Sequence, residues 1–320
     1  SEADARAVIV IPALSRNSIR RRESLYRKVH EGLGRKLVLV QAGAGGGKTT
    51  FLASFAHEQR DSDGIPTAWL TLNRIHRDRV ILLRHLVLAL QTVQPEVGKV
   101  TLAALSNDRE ALRRWGYLLD LLCQEVYDAK IQPTLVIMDQ YERVGSASTA
   151  KDTIDYLARS LPKSLTFLLS TRQLPDLLSI PRLKTQGEVW ILTTSDLCFA
   201  PEEVRLLYSS RLDFSVSDEA LQSLISKTAG WPAMIQIAGT LARSKGEGVL
   251  FAFSGALPEV YDYLNRELFR QEAPGARSFL MSSALVDQIS PDLGRELAQD
   301  KESLEALSRL ERGDYFVSAF

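Results

Sequence analysis

The chain has 320 residues, enough for two or three domains with a substantial buried core. Its 45% apolar and 24% charged content is that of an ordinary globular protein and excludes a disordered or fibrous chain. Lys plus Arg equals Asp plus Glu at 39 each, so no overall field draws it to nucleic acid or to an anionic membrane. Cys123 and Cys198 are too few for a disulfide framework, and no His/Cys group has metal-ligand spacing. That usage fits a reducing cytoplasm, the predicted location. The first residues lack the charge order of a signal peptide, and no apolar run is long enough for a membrane span.

Residues 13–30 read as an extended arm followed by a short helix, with Leu25 and Val29 on its apolar side. This stretch and the few residues after it are basic: Arg16, Arg20, Arg21, Arg22, Arg27, Lys28, Arg35 and Lys36. A solvated helix face and a nucleotide- or partner-facing role are both open for them.

Next comes the most informative stretch. Leu37-Val38-Leu39-Val40 is an apolar β-branched run that feeds Gln41-Ala42-Gly43-Ala44-Gly45-Gly46-Gly47-Lys48-Thr49-Thr50 and then a helical pattern from Phe51. Strand, glycine loop, Lys-Thr and helix are the parts of a P-loop nucleotide site. Glycines let the loop turn its N–H groups toward phosphate oxygens, and the helix start adds further donors. On this reading Gly43, Ala44, Gly45, Gly46, Gly47, Lys48, Thr49 and Thr50 bind nucleotide. Lys48 reaches the outer phosphates, and the Thr49 hydroxyl holds Mg²⁺. Ala42 stands where the motif has its first glycine, which requires that position to avoid positive φ.

Further strands are predicted at 67–72, 134–138 (opened by Pro133), 165–169 and 189–192, with helices over 80–93 and 110–127 between them. Continuously apolar strands alternating with helices predict a five-stranded parallel sheet covered on both faces, the α/β fold of a P-loop NTPase, over roughly 31–195. From Pro201 the chain reads as helix after helix. The expected organisation is an arm over 1–30, a nucleotide-binding domain over 31–195, a helical domain over 196–255 and a further helical unit over 256–320. The apolar run Tyr315 to Phe320 reads as a strand without a partner, as though a boundary falls inside that last domain.

Asp139 closes a predicted strand, and ligands of parallel sheets bind beyond the carboxyl ends of strands. It is the candidate to hold Mg²⁺ with Thr49. Many P-loop ATPases carry a second acid next to the metal-holding Asp to polarise the attacking water. Here that position is Gln140, an amide that can orient water but cannot accept its proton. Glu142 could substitute, or could be a solvated helix-start acid. Arg172, at the end of the fourth strand, could report a γ-phosphate or could form a surface ion pair. With Lys48, Asp139, Gln140 and Arg172 as candidate catalytic residues, binding is better supported than turnover. His30, His57, His76 and His85 sit in no constellation that demands a chemical role.

The chain resembles the signal-transduction ATPases with numerous domains, in their MalT-like branch of large LuxR-type transcriptional activators. The likeness runs through Arg22 to Val29, Ala42 to Thr50, Ala68 to Leu72, Leu135 to Tyr141, Leu168 to Pro175, Leu197 to Glu203 and Thr228 to Ala233. The resemblance implies a nucleotide switch: closed around ADP at rest, opened by inducer and ATP into a self-associating form, and hydrolysing ATP slowly. It implies that 256–320 is a partial winged-helix domain, that Arg172 is a sensor arginine, that Pro232 packs on the adenine, and that Ile19 to Arg22 line the base. The implied cofactors are ATP or ADP with Mg²⁺. The sensor and effector domains that usually follow are outside these residues, so no direct nucleic-acid contact and no membrane contact is expected. Gln140, the loss of an acidic cluster to Arg74, His76 and Arg77, and the missing His-Pro-Leu segment are departures. They leave open a hydrolysis-deficient nucleotide-binding scaffold and, less favoured by the neutral charge, a nucleic-acid motor.

Overall fold

The computed structural model describes residues 7–14, 22–62, 64–107, 113–145, 147–284 and 289–311. They divide into two compact units: 1–41 with 48–196, and 42–47 with 197–320. The glycine loop therefore groups with the second unit, while the strand before it and the helix after it belong to the first.

In the first unit the elements run α1 Glu23–Gly32, β1 Leu37–Gln41, α2 Lys48–Asp61, β2 Thr67–Thr71, α3 Arg79–Gln91, α4 Lys99–Asn107, α5 Trp115–Asp128, β3 Thr134–Asp139, α6 Ser148–Ser160, β4 Leu165–Thr171, α7 Ile180–Thr185 and β5 Val189–Leu192. All five strands are parallel, in the order β2-β3-β4-β1-β5. Every residue of β3 and β4 is buried, which is why both read as unbroken apolar runs. β4 lies between the loop strand β1 and the acid strand β3. All five strands fall where the sequence places them, with ends shifted by one or two residues.

The helices were less legible. α6 buries small or polar residues such as Ala150 and Thr153 beside Ile154 and Leu157, so its apolar stripe is thin in sequence. α2 begins at Lys48, a full turn before the apolar pattern starts, because the loop delivers the chain directly into helical geometry. α1 packs on α2 through Tyr26, whose ring meets Phe51 and Phe55 edge-on at 5.8 and 5.1 Å and whose hydroxyl bonds to Ser54 at 3.0 Å. On edge strand β5, Trp190 lies so close to Gly32 that a Cβ there would approach its ring to 2.7 Å.

In the second unit the elements are α8 Pro201–Arg211, α9 Asp218–Thr228, α10 Pro232–Lys245, α11 Pro258–Glu267, α12 Pro274–Ser283, α13 Pro291–Leu297 and α14 Lys301–Glu311. α8 starts as its sequence predicts, with Pro201 at the first position and the Glu203 carboxylate accepting from Ala200 N–H at 3.0 Å. The turn into α10 depends on Gly230. Its φ is +75°, and its carbonyl accepts from Phe199 N–H at 2.8 Å, so close that a Cβ would lie 2.3 Å from the Phe199 carbonyl oxygen. A small core of Ala276, Phe279, Ala298, Ala306 and Leu307 joins α12 to α13 and α14. Every element of 258–311 that is described is helical, and the run from Tyr315 lies outside the described residues.

Two of the four histidines form a buried pair in the first unit. Asn73 N–H donates to His76 Nδ1 at 3.0 Å, so His76 carries its proton on Nε2 and donates to His85 Nδ1 at 3.0 Å. Burial, with the neighbouring His85, holds the His76 pKa down at about 4. The neutral form is therefore the folded form. The unfolded chain takes up a proton near pH 6.5, so the stabilisation is complete above that pH and is lost as pH falls toward 4. The depression corresponds to about 3 kcal/mol. Urea unfolding between pH 7 and 4.5 should show stability falling with acid, with a shallower slope in His76→Asn. An equal slope in the two proteins would contradict this account.

Candidate functional site

The parallel register sets the site in the first unit. Gln41 pairs with Thr171 and Met138 with Leu169, so the carboxyl ends of β1, β3 and β4 lie along one edge. Asp139 ends β3 there and is fully buried. Its Oδ2 accepts from the Thr49 hydroxyl at 2.8 Å, and its Oδ1 accepts from the Ser170 hydroxyl. Ser170 Oγ in turn accepts from Gln140 N–H at 2.8 Å. Among the described residues no cation lies within ion-pair distance of Asp139. A buried carboxylate without a cation is costly, and two hydroxyl donors offset only part of that cost. This hard oxygen donor set, the Asp139 carboxylate with the Thr49 hydroxyl, suits a divalent ion such as Mg²⁺.

Lys48 opens α2, next to Thr49. Burial lowers its pKa; the charge of Glu142 opposes that most strongly, Arg172 adds to it, and Asp139 opposes it. Four charged groups thus share one corner. Arg172 Nε stands 3.4 Å from Glu142 Oε1, and Glu142 Oε2 is buried without a hydrogen-bond partner. Glu142 is therefore not the solvated helix-start acid that one sequence reading allowed. It follows β3 in a short 3₁₀ turn, Tyr141–Arg143, that folds it back beside the strand ends. Of the two readings for Arg172 the ion pair is present, and it lies at the site.

Gln140 takes the left-handed conformation at φ 64°, ψ 47°. A residue with a side chain pays about 1 kcal/mol there, offset here by its N–H bond to Ser170. Its carboxamide oxygen faces Arg143 Nε at 3.4 Å. Arg22 is buried at the start of α1, where its carbonyl accepts from Tyr26 N–H at 2.8 Å. Ile19 lies outside the described residues.

The glycine loop is built as its sequence demands. Gly45 and Gly47 have φ of +71° and +75°. Ala42 stays out of positive φ, and its methyl presses on Gly46, where an added Cβ would sit 2.8 Å away. Gly46 N–H donates to Gly43 O at 3.3 Å, whereas the N–H groups of Ala44, Gly45 and Gly47 have no protein acceptor among the described residues. Those are the donors a phosphate would take. Thr50 is exposed in the first turn of α2. Within the same unit the loop meets the start of α10: Ala233 N–H donates to Gly45 O at 3.1 Å, and Pro232 is the nearest neighbour of Gly47. Trp231 and Tyr263 meet edge-on at 6.0 Å, and both flank Gly45.

Sequence reasoning missed Ser170, Tyr263 and the placement of Glu142. Only Ser170 carried a signal, as a polar residue ending an apolar strand. A separate cavity of about 450 Å³, lined in part by Lys36, Arg159 and Arg182, lies at the opposite edge of the sheet and contains none of the candidate residues.

The fold and the loop motif are those of a P-loop NTPase domain, with β4 between the loop strand β1 and the acid strand β3. The Walker-type ATPase PABY2304 of Pyrococcus abyssi shares the fold, with a TM-score of 0.56 at 16% identity over 94% of this chain and 91% of that one. In sequence the chain is homologous to MalT-type regulators and their relatives. It is 23% identical to the HTH-type transcriptional regulator MalT of Klebsiella pneumoniae over 92% of its length. It is 24% identical to the serine/threonine-protein kinase PknK of Mycobacterium tuberculosis over 96%, and 24% identical to the regulator AlkS of Pseudomonas putida over 84%. No family model matches. The chain spans 27% of PknK, 32% of MalT and 29% of AlkS, under a third of each.

Gly45→Ala tests the packing of the loop. The new methyl would meet Tyr263 Oη at 2.2 Å and Ala233 Cβ at 2.8 Å on a positive-φ backbone. Strain and overpacking together should cost about 2–4 kcal/mol, read as a lower thermal midpoint. An unchanged midpoint would show that the loop does not hold this conformation in solution.

Proposed function

We propose that this chain is the ATP- and ADP-binding switch module of a MalT-like regulator. The buried Asp139, bonded to Thr49 and Ser170 and, among the described residues, without a cation in ion-pair distance, carries the reading. In this proposal the amides of Gly43 to Gly47 hold the phosphates, Lys48 pairs with the outer ones, and Thr49 and Asp139 hold Mg²⁺, which would neutralise phosphate charge. Arg172 senses the γ-phosphate and Pro232 packs on the adenine. Residues 31–195 form the nucleotide-binding domain, 196–255 a helical domain and 256–320 a winged-helix domain. ADP keeps the module closed, and ATP opens it to self-association with slow hydrolysis. The sequence likeness to regulators of transcription supports the regulatory role. A second reading, a scaffold that binds nucleotide without turning it over, draws on Gln140, whose amide replaces the usual second acid and faces Arg143.

Denaturing the purified chain should release an adenine nucleotide, identifiable by chromatography. Lys48→Ala should lower retention at least about tenfold, equivalent to about 1.4 kcal/mol. Asp139→Asn should remove the Mg²⁺ dependence of nucleotide affinity. Equal retention by Lys48→Ala and the unsubstituted chain would overturn the proposal.

A further inference from the structure

We infer that Glu142, three residues beyond the metal-holding Asp139, is the carboxylate that activates water for ATP hydrolysis, and that Arg172 holds it in reserve. The inference rests on the nucleotide reading above and deepens it. Three observations carry it. First, the position where a P-loop ATPase places this acid is held by Gln140, whose amide cannot accept a proton and whose oxygen faces Arg143. Second, Glu142 is folded back to the strand ends by the turn Tyr141–Arg143, with Oε2 buried and without a hydrogen-bond partner. An acceptor in that state lacks the hydrogen bond that a bound water would supply. Third, its other oxygen is paired with Arg172, the side chain at the carboxyl edge of β4.

A purely structural ion pair would leave both carboxylate oxygens satisfied or in solvent. Here one oxygen is tied and the other is buried and unmet, beside the lysine that closes the phosphate loop.

The step balances simply. The water oxygen forms a bond to the γ-phosphorus while one of its protons passes to the Glu142 carboxylate. The bond between the γ-phosphorus and the β,γ-bridging oxygen breaks, its electron pair stays on ADP, and the proton is then released to phosphate or solvent. A γ-phosphate drawing the Arg172 guanidinium toward itself would loosen the pair with Glu142. The acid would then be freed only when triphosphate is bound, a rule suited to a slow switch.

The test compares the unsubstituted chain with Glu142→Gln, Glu142→Asp and Lys48→Ala, measuring phosphate release with Mg²⁺ and ATP, ATP affinity, thermal midpoint and the nucleotide retained on purification. Glu142→Gln should lower kcat about 10²-fold or more with ATP affinity and midpoint unchanged, and should purify with a higher ATP-to-ADP ratio. Glu142→Asp keeps the charge and the fold and should lose a smaller part of kcat. Unchanged turnover in both Glu142 variants would overturn the inference while leaving nucleotide binding intact. So would a fall in midpoint and affinity that accounts for the whole loss in Glu142→Asp, because that is how a structural partner of Arg172 behaves. Turnover in the unsubstituted chain no higher than in Lys48→Ala would also overturn it. Equal nucleotide retention by those two proteins would instead overturn the underlying nucleotide reading.

Discussion

The Asp139 carboxylate, buried at the end of β3 and held by hydroxyls from α2 and β4, is the interaction on which the first unit's chemistry depends. One bond ties the helix that follows the loop to the acid strand, and the other ties the acid strand to its neighbour. Ser170 extends the chain of bonds to the amide of Gln140 and thereby holds that residue in a left-handed turn. From that turn the backbone leads into the short helix carrying Glu142. A single buried charge therefore organises three elements and directs a fourth. The cost of burying that charge with no ion pair of its own among the described residues makes the same corner receptive to a metal ion.

In the second unit the glycine loop has its own reasons for glycine. Two positions need positive φ, and Gly45 in addition lies against Trp231, Ala233 and Tyr263. The start of α10 is shaped to meet it, since Gly230 turns the chain tightly and Pro232 begins the helix with no N–H to satisfy. Among the described residues three amides of the loop, those of Ala44, Gly45 and Gly47, are without a protein acceptor. Packing from one side and open donors together give a loop held in one shape, which would lower the ordering cost of the phosphate binding proposed for it.

Much of this was legible in the chain because it is local. Four or more apolar residues in a row can only be a strand buried on both faces or a buried helix, and their shortness and β-branching decide for the strand. The loop is a contiguous motif, and Asp139 is marked by its place at the end of such a strand. The helices that escaped notice, such as α6, bury alanine and threonine, whose small contribution to any apolar stripe hides the face they present. Ion pairing was harder still. Arg172 and Glu142 are each ordinary charged residues after a strand, and nothing in either neighbourhood predicts that they meet.

The amino-acid sequence by itself determined the P-loop motif, the parallel sheet and the place of Asp139 at a strand end, because each follows from side-chain type at short spacing. Tertiary structure alone decided that Ser170 steadies Asp139, that Glu142 pairs with Arg172 and that Trp231 and Tyr263 flank Gly45. Those meetings depend on strand order, register and helix packing, which join residues far apart in the chain, and no local pattern records them.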